Sequence, residues 1–169
     1  MKNDYLAKVR SINATIAVTF KTPKVAVLSN QLLEVPSPLS ARDTDFFEQE
    51  VLRLFYINMS RLVRFELVAY PEDRSKEDNS FVPLHYHAVI RSENDAKFIA
   101  IAERKYAAVL ESVYSKHFSK IIMPRKPLWI SKINRDDPEK SYEAYILKHY
   151  DPSKHLVTNE DFELKSIAA

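Results

Sequence analysis

The chain has no glycine in 169 residues, where an average usage of about 7% would supply roughly a dozen. Loops that cradle phosphates and the dinucleotide fingerprint both need glycine so that backbone can approach a phosphate closely. The sequence therefore argues against an NTPase or a Rossmann enzyme. Turns that need positive φ fall to Asn or Asp, or are avoided with longer loops and proline, of which there are nine. Cysteine is also absent, which removes disulfides, thiolate zinc sites and cysteine nucleophiles together. Any metal must be held by His, Asp, Glu, Gln or Asn.

A chain of this length, with 46% hydrophobic and 28% charged residues, can bury a real core as one folded domain. Its longest apolar runs, such as Ile12 to Phe20 and Phe98 to Ala102, fall well short of the ~20 residues that span a bilayer. The start, Met1-Lys2-Asn3-Asp4, carries an early acid and lacks a secretory apolar stretch, so a cytoplasmic protein with no membrane association is expected. The net charge of +2 does not by itself imply a polyanionic partner. Its distribution is more informative. Lys116, Lys120, Arg125, Lys126, Lys132 and Arg135 fall in one stretch without an acid, and Trp129 sits among them. Cations that follow phosphates, with a ring that stacks on bases, suit single-stranded nucleic acid. An edge strand guarded by Lys and Pro, with Trp129 in the core, fits the same stretch, and the two readings are compatible.

Strands are predicted at Ile12 to Phe20, Val63 to Tyr70 and Phe81 to Ile90, with a shorter one at Lys24 to Leu28 in a proline-punctuated stretch. Lys120 to Ile133 reads as one or two further strands, placed towards an edge by Pro124 and Pro127. Helices are predicted from about Phe46 to Arg61, opened by Asp45 and Glu48 as a capping box, and from a cap at Ser92 or Asn94 to near His117. A third should start at Asp137-Pro138 and run to Tyr150. Pro152 to Ala169 reads as a polar tail with at most a short added element.

The chemistry is concentrated in two places. His85-Tyr86-His87 lies on a predicted strand, where residues two apart share a face, so both imidazoles can reach one divalent ion while Tyr86 points into the core. If the hairpin turn centres near residue 76 or 77, Glu66 lies opposite His87 and completes the set; a register slip would undo this. Glu72 is the alternative. On the predicted last helix, Tyr145 is followed by Lys148. A phenol is a poor nucleophile at neutral pH, but it can attack a phosphodiester that a metal ion polarises.

These stretches resemble the HUH endonuclease superfamily, above all its rolling-circle replication initiators of plasmids and small viruses. Thr15-Ile-Ala-Val-Thr19-Phe20 is similar to the first motif, Leu84-His85-Tyr86-His87-Ala-Val-Ile90 to the histidine motif, and Tyr145-Ile-Leu-Lys148 to the tyrosine motif, in the family's order over residues 12 to 150. The resemblance implies an α+β fold, with a central antiparallel sheet of about five strands and packed helices in an RRM-like arrangement. It implies a catalytic domain over residues 1–151 and a tail over 152–169. It also implies Mg²⁺ or Mn²⁺ on His85 and His87, Tyr145 as nucleophile and Lys148 as a cation near the phosphate. The third ligand would be Glu66, with Glu72 and His149 as alternatives, His149 standing where the single-strand transposases carry a ligand. Tyr142 and Tyr150 lack a lysine three residues on, which favours single-tyrosine chemistry. The expected partners are a single-stranded origin or hairpin DNA, met by Arg125, Lys126, Trp129, Lys132 and Arg135, and a separate helicase for unwinding. The alternatives are a single-strand transposase of the same superfamily and a non-catalytic RRM-like module that binds single strands.

Overall fold

The structure is a computed structural model and describes residues 1–26, 44–75, 77, 78, 80–118, 120–133, 142–148 and 150–168. Its elements in chain order are α1 (Lys2–Ser11), β1 (Ile16–Lys21), β2 (Lys24–Ala26), α2 (Thr44–Phe46), a π-helical stretch Phe47–Leu52, α3 (Arg53–Ser60), β3 (Phe65–Arg74), β4 (Phe81–Ser92), α4 (Asp95–Tyr114), β5 (Lys120–Ile122), β6 (Leu128–Lys132), α5 (Tyr142–Ile146), β7 (Val157–Thr158) and α6 (Asn159–Ala168). The fold is α+β. A five-stranded antiparallel sheet in the order β6-β1-β4-β3-β7 carries packed helices, and β2 pairs with β5 as a separate ribbon.

The histidine strand β4 lies at the centre of the sheet, paired with β1 on one side and β3 on the other. Its alternation sends side chains to two different cores. On one face Ile16, Val18, Phe20, Leu67, Ala69, Tyr86, Ala88 and Ile90 pack with residues of the π-helical stretch, α3 and α4, all buried. Edge-to-face contacts of Phe20 with Phe55 and Tyr106, at 5.3 and 5.1 Å between centroids, knit strand to helices, each pair contributing about 0.5–1.5 kcal/mol beyond its buried area. On the other face Val68, Tyr70 and Val89 pack with Val9 and Ile12 from α1 and its end, and with Ile146, Leu147 and Leu156. This second face carries the histidines.

α4 begins as its sequence signals: the Asn94 side chain accepts from the Lys97 amide at 3.1 Å, satisfying one of the orphan donors of the first turn. The helix before β3 departs from expectation. Asp45 lies inside α2 instead of capping a helix, and Glu48, in the π-helical stretch, accepts at 2.5 Å from the Tyr86 hydroxyl. Tyr86 also stacks on Phe47, at 5.0 Å and 19°. A carboxylate thus stands directly behind the histidine strand, and burial pushes Glu48 up to about 7.

Helix α1 has no counterpart in the sequence reading. Met1 caps it without a side-chain hydrogen bond, and Val9 is its one buried residue. It leads into β1 through Asn13 at φ 51°, a left-handed position taken by the residue type best able to replace glycine there. The final residues are not a tail. β7 extends the sheet beside β3, pairing Val157 and Thr158 with Ala69 and Val68, and Phe162 of α6 is buried in the first core. The segment before β7 is tied down as well: the Tyr70 hydroxyl donates to the Asp151 carbonyl at 2.8 Å and accepts from the Asp151 amide at 3.0 Å, and Lys154 Nζ lies 2.7 Å from Asp73 Oδ1. No helix among the described residues is long and apolar enough to cross a membrane.

Candidate active site

Register decides which carboxylate meets the histidines. From Phe65 to Glu72, β3 pairs regularly with β4, setting Glu66 opposite Arg91, Tyr70 opposite His87 and Glu72 opposite His85. Beyond Glu72 the pairing is irregular: β3 advances two residues to Arg74 while β4 falls back four, from His85 to Phe81. Pro83, which has no amide to give to a ladder, lies in that irregular stretch. A uniform hairpin with its turn near residue 76 or 77 would place Glu66 against His87; the turn falls later in the chain and the bulge adds to the offset, so that Glu72, opposite His85, is the carboxylate that meets the imidazoles. Glu66 is exposed at the far end of β3, where it lines a separate polar cavity with Arg64, Arg91, Glu93 and Glu163.

Glu72, His85 and His87 each offer one ligand atom, all within 4.8 Å of one another, and could hold a metal ion. Glu72 Oε2 lies 2.7 Å from His87 Nε2 and 3.4 Å from His85 Nε2. Glu72 and His87 are buried, and His85 is partly so. The outer nitrogens are engaged. His85 Nδ1 lies 2.9 Å from the Pro83 carbonyl, which can only accept, so Nδ1 carries the proton and Nε2 keeps its lone pair for a ligand bond. His87 Nδ1 lies 3.1 Å from Thr19 Oγ1, the residue directly opposite it on β1. Although His87 Nε2 is close to Glu72, it makes no well-aligned hydrogen bond. One carboxylate oxygen and two imidazole nitrogens gathered at one point are a donor set that fits a divalent cation.

The electrostatics agree with an ionised carboxylate and a neutral imidazole. Burial alone would raise the Glu72 carboxyl, but the adjoining His85 and His87 side chains and the Lys148 ammonium outweigh it and hold the group well below the usual carboxylate range. Burial lowers His87 against the opposing pull of Glu72, which keeps the ring in its metal-binding form.

Tyr145 and Lys148 arrive from the other side. α5 is short and ends at Ile146, so Lys148 stands in the turn after it, its amide bonded to the Tyr145 carbonyl at 3.1 Å. Ile146 and Leu147, buried in the second core, fix this turn against the sheet. The Tyr145 ring, 39% exposed, packs edge-on against His87 at 5.3 Å between centroids. Lys148 Nζ lies 3.2 Å from Glu72 Oε2 and 3.6 Å above the Tyr145 ring, so one ammonium links the carboxylate to the phenol. The beginning of the helix predicted from Asp137, together with His149 and Arg135, lies outside the described residues.

The proposed DNA contacts divide. Trp129 pairs with Thr19 on β6 and shares the face of His87, so the reading of Trp129 as a core residue does not hold: it is 39% exposed. Lys132 is exposed, but an odd number of residues from Trp129 turns it to the opposite face, opposite Ile16. Arg125 lines a cavity of about 950 Å³ that opens beside His85 and His87 between Lys21, Leu84 and Met123. Lys126 is exposed in the β5–β6 connection. Sequence reasoning assigned no role to Thr19 or Pro83. Thr19 lies in the strand matched to the first motif, but only the pairing of β1 with β4 reveals its contact.

No protein-family model, no curated protein and no solved structure matches this chain.

Proposed function

We propose that this protein cuts and rejoins single-stranded DNA through a covalent phosphotyrosine, as in the rolling-circle initiators that its motifs resemble. Tyr145 is the nucleophile, and Glu72, His85 and His87 hold a divalent cation. The observation that carries the reading is the convergence of an exposed phenol from α5, 5.3 Å from the His87 ring, on a cluster of two imidazoles and an ionised carboxylate from the sheet. Two nitrogens and one oxygen suit Mn²⁺ more than the oxygen-seeking Mg²⁺, and both belong to the proposal. When bound, the ion would polarise the phosphodiester and offset the charge a phenol must approach.

The chain's own residues supply the rest. The Tyr145 oxygen forms a bond to phosphorus as the bond from phosphorus to the 3′ oxygen breaks. One proton passes in net from the phenol to the departing 3′ hydroxyl, and the 5′ phosphate stays on the protein. Because one phosphodiester replaces another, the reverse attack by a 3′ hydroxyl restores the strand without ATP. Lys148, held between Glu72 and the Tyr145 ring, fixes the nucleophile's approach and offers an ammonium to a phosphate oxygen. Arg125 and Lys126 offer charge to the backbone of the strand, and unwinding belongs to a separate helicase.

The test is incubation with a panel of labelled single-stranded hairpin oligonucleotides in Mn²⁺ or Mg²⁺, read on a denaturing gel and by mass spectrometry of the joined peptide. The expected result is a protein–oligonucleotide adduct on Tyr145 that disappears in Tyr145→Phe and with chelator, and persists in Tyr150→Phe. An adduct that survives Tyr145→Phe overturns the assignment, as does a lack of cleavage across the panel with either ion.

A further inference from the structure

Beside the metal cluster, on the same face of the sheet, lies a cleft of about 300 Å³ lined by Thr19, His87, Trp129, Tyr142 and Tyr145. Its walls are unusual for this molecule. Most of its aromatic rings are buried, whereas Trp129 and Tyr145, both 39% exposed, face this one cleft. The Tyr142 hydroxyl is buried beside the Thr19 side chain. Thr19 Oγ1 is already engaged by His87 Nδ1.

The pairing fixes where the cleft sits. Trp129 is opposite Thr19, and Thr19 is opposite His87, so the indole stands two strand spacings from the imidazole, or about 10 Å. That is the reach of one nucleotide from its phosphate to its base. The volume is at the low end for a ligand pocket and suits one flat heterocycle.

We propose that this cleft is a nucleobase slot: the base next to the phosphate held at Glu72, His85 and His87 leaves its stack and lies against Trp129. The inference rests on the reading of the neighbouring site as a single-stranded DNA nuclease and names what seats its substrate. Trp129 supplies sequence-tolerant stacking.

Trp129 is the chain's single tryptophan, so its emission reports the slot directly. The metal-free protein in chelator is titrated with labelled oligo-dT and with a sugar–phosphate oligomer of the same length that lacks bases. Binding is followed by anisotropy and the slot by Trp129 emission. Oligo-dT should quench the emission in step with binding, and the base-free oligomer should bind more weakly without quenching. Trp129→Leu should lose between about fivefold and about a hundredfold in affinity for oligo-dT and nothing for the base-free oligomer. Equal affinity for the two oligomers, or binding of oligo-dT with unchanged emission, overturns the slot even if the Tyr145 adduct forms. Quenching without any adduct in Mn²⁺ keeps the slot and overturns the nuclease. No binding of either oligomer overturns both.

Discussion

Replacing Glu48 by glutamine should make the protein more stable at neutral and alkaline pH. The carboxyl lies behind the histidine strand, bonded at 2.5 Å to the Tyr86 hydroxyl, and burial lifts it from its ordinary 4.5 to about 7. A group whose folded value is raised gives stability that is full below the unfolded value and is lost as pH rises through the folded one. The window therefore runs from about 4.5 to about 7. At about 1.36 kcal/mol per pH unit, the loss across it is on the order of 3 kcal/mol. Glutamine keeps an oxygen for the Tyr86 hydroxyl and cannot ionise, so this loss should be absent in Glu48→Gln. His87, lowered by burial, adds stability as pH rises to its ordinary value, whereas Glu72, also lowered, is ionised throughout this range. The informative quantity is thus the difference between the two proteins, from urea unfolding followed by circular dichroism at pH 5, 6, 7 and 8. It should be small at pH 5 and grow to on the order of 3 kcal/mol in favour of Glu48→Gln by pH 8. A difference that does not change with pH refutes the reasoning, because it would mean that Glu48 ionises as freely in the folded protein as in the unfolded chain.

Mn²⁺ affinity measured by calorimetry should fall by more than about tenfold in Glu72→Ala and stay within twofold in Glu66→Ala, since only Glu72 faces the imidazoles; the reverse pattern would show the register to be wrong. Thr19→Val removes the partner of His87 Nδ1 and should weaken Mn²⁺ binding about 10–100-fold with little change in melting temperature, and unaltered binding would deny Thr19 its role. At Asn13, φ 51° makes valine unfavourable by about 1–2 kcal/mol and glycine nearly neutral, measured by thermal unfolding; equal melting temperatures for the two variants would contradict a left-handed residue there.

What could be read from the sequence was what is encoded locally. His85 and His87 share a face because strands alternate, and Tyr145 and Lys148 keep company because they are three residues apart; no distant information enters either statement. The alternating apolar runs likewise located β1, β3 and β4. Glu72 in place of Glu66 was decided by where the turn falls and by an irregularity around Pro83, properties of two strands meeting that neither strand shows alone. Lys132 shares the basic stretch with Trp129 but not its face, because charge composition does not record the pleat. α1 has no capping signal and one buried residue, so its helicity comes from docking on the second core, which exists only once the sheet has formed. β7 was hidden for a related reason: two residues gain strand geometry from a neighbour already in place.

That last pairing bears on how the protein can be cut down. Composition invites a boundary after Asp151, where the polar residues begin, yet such a truncation would remove the outer neighbour of β3. The amides and carbonyls of Val68 and Ala69 would be laid bare along a long hydrophobic strand, a template for joining to another chain. A shortened protein that precipitates would then report an uncovered sheet margin, not a damaged catalytic centre.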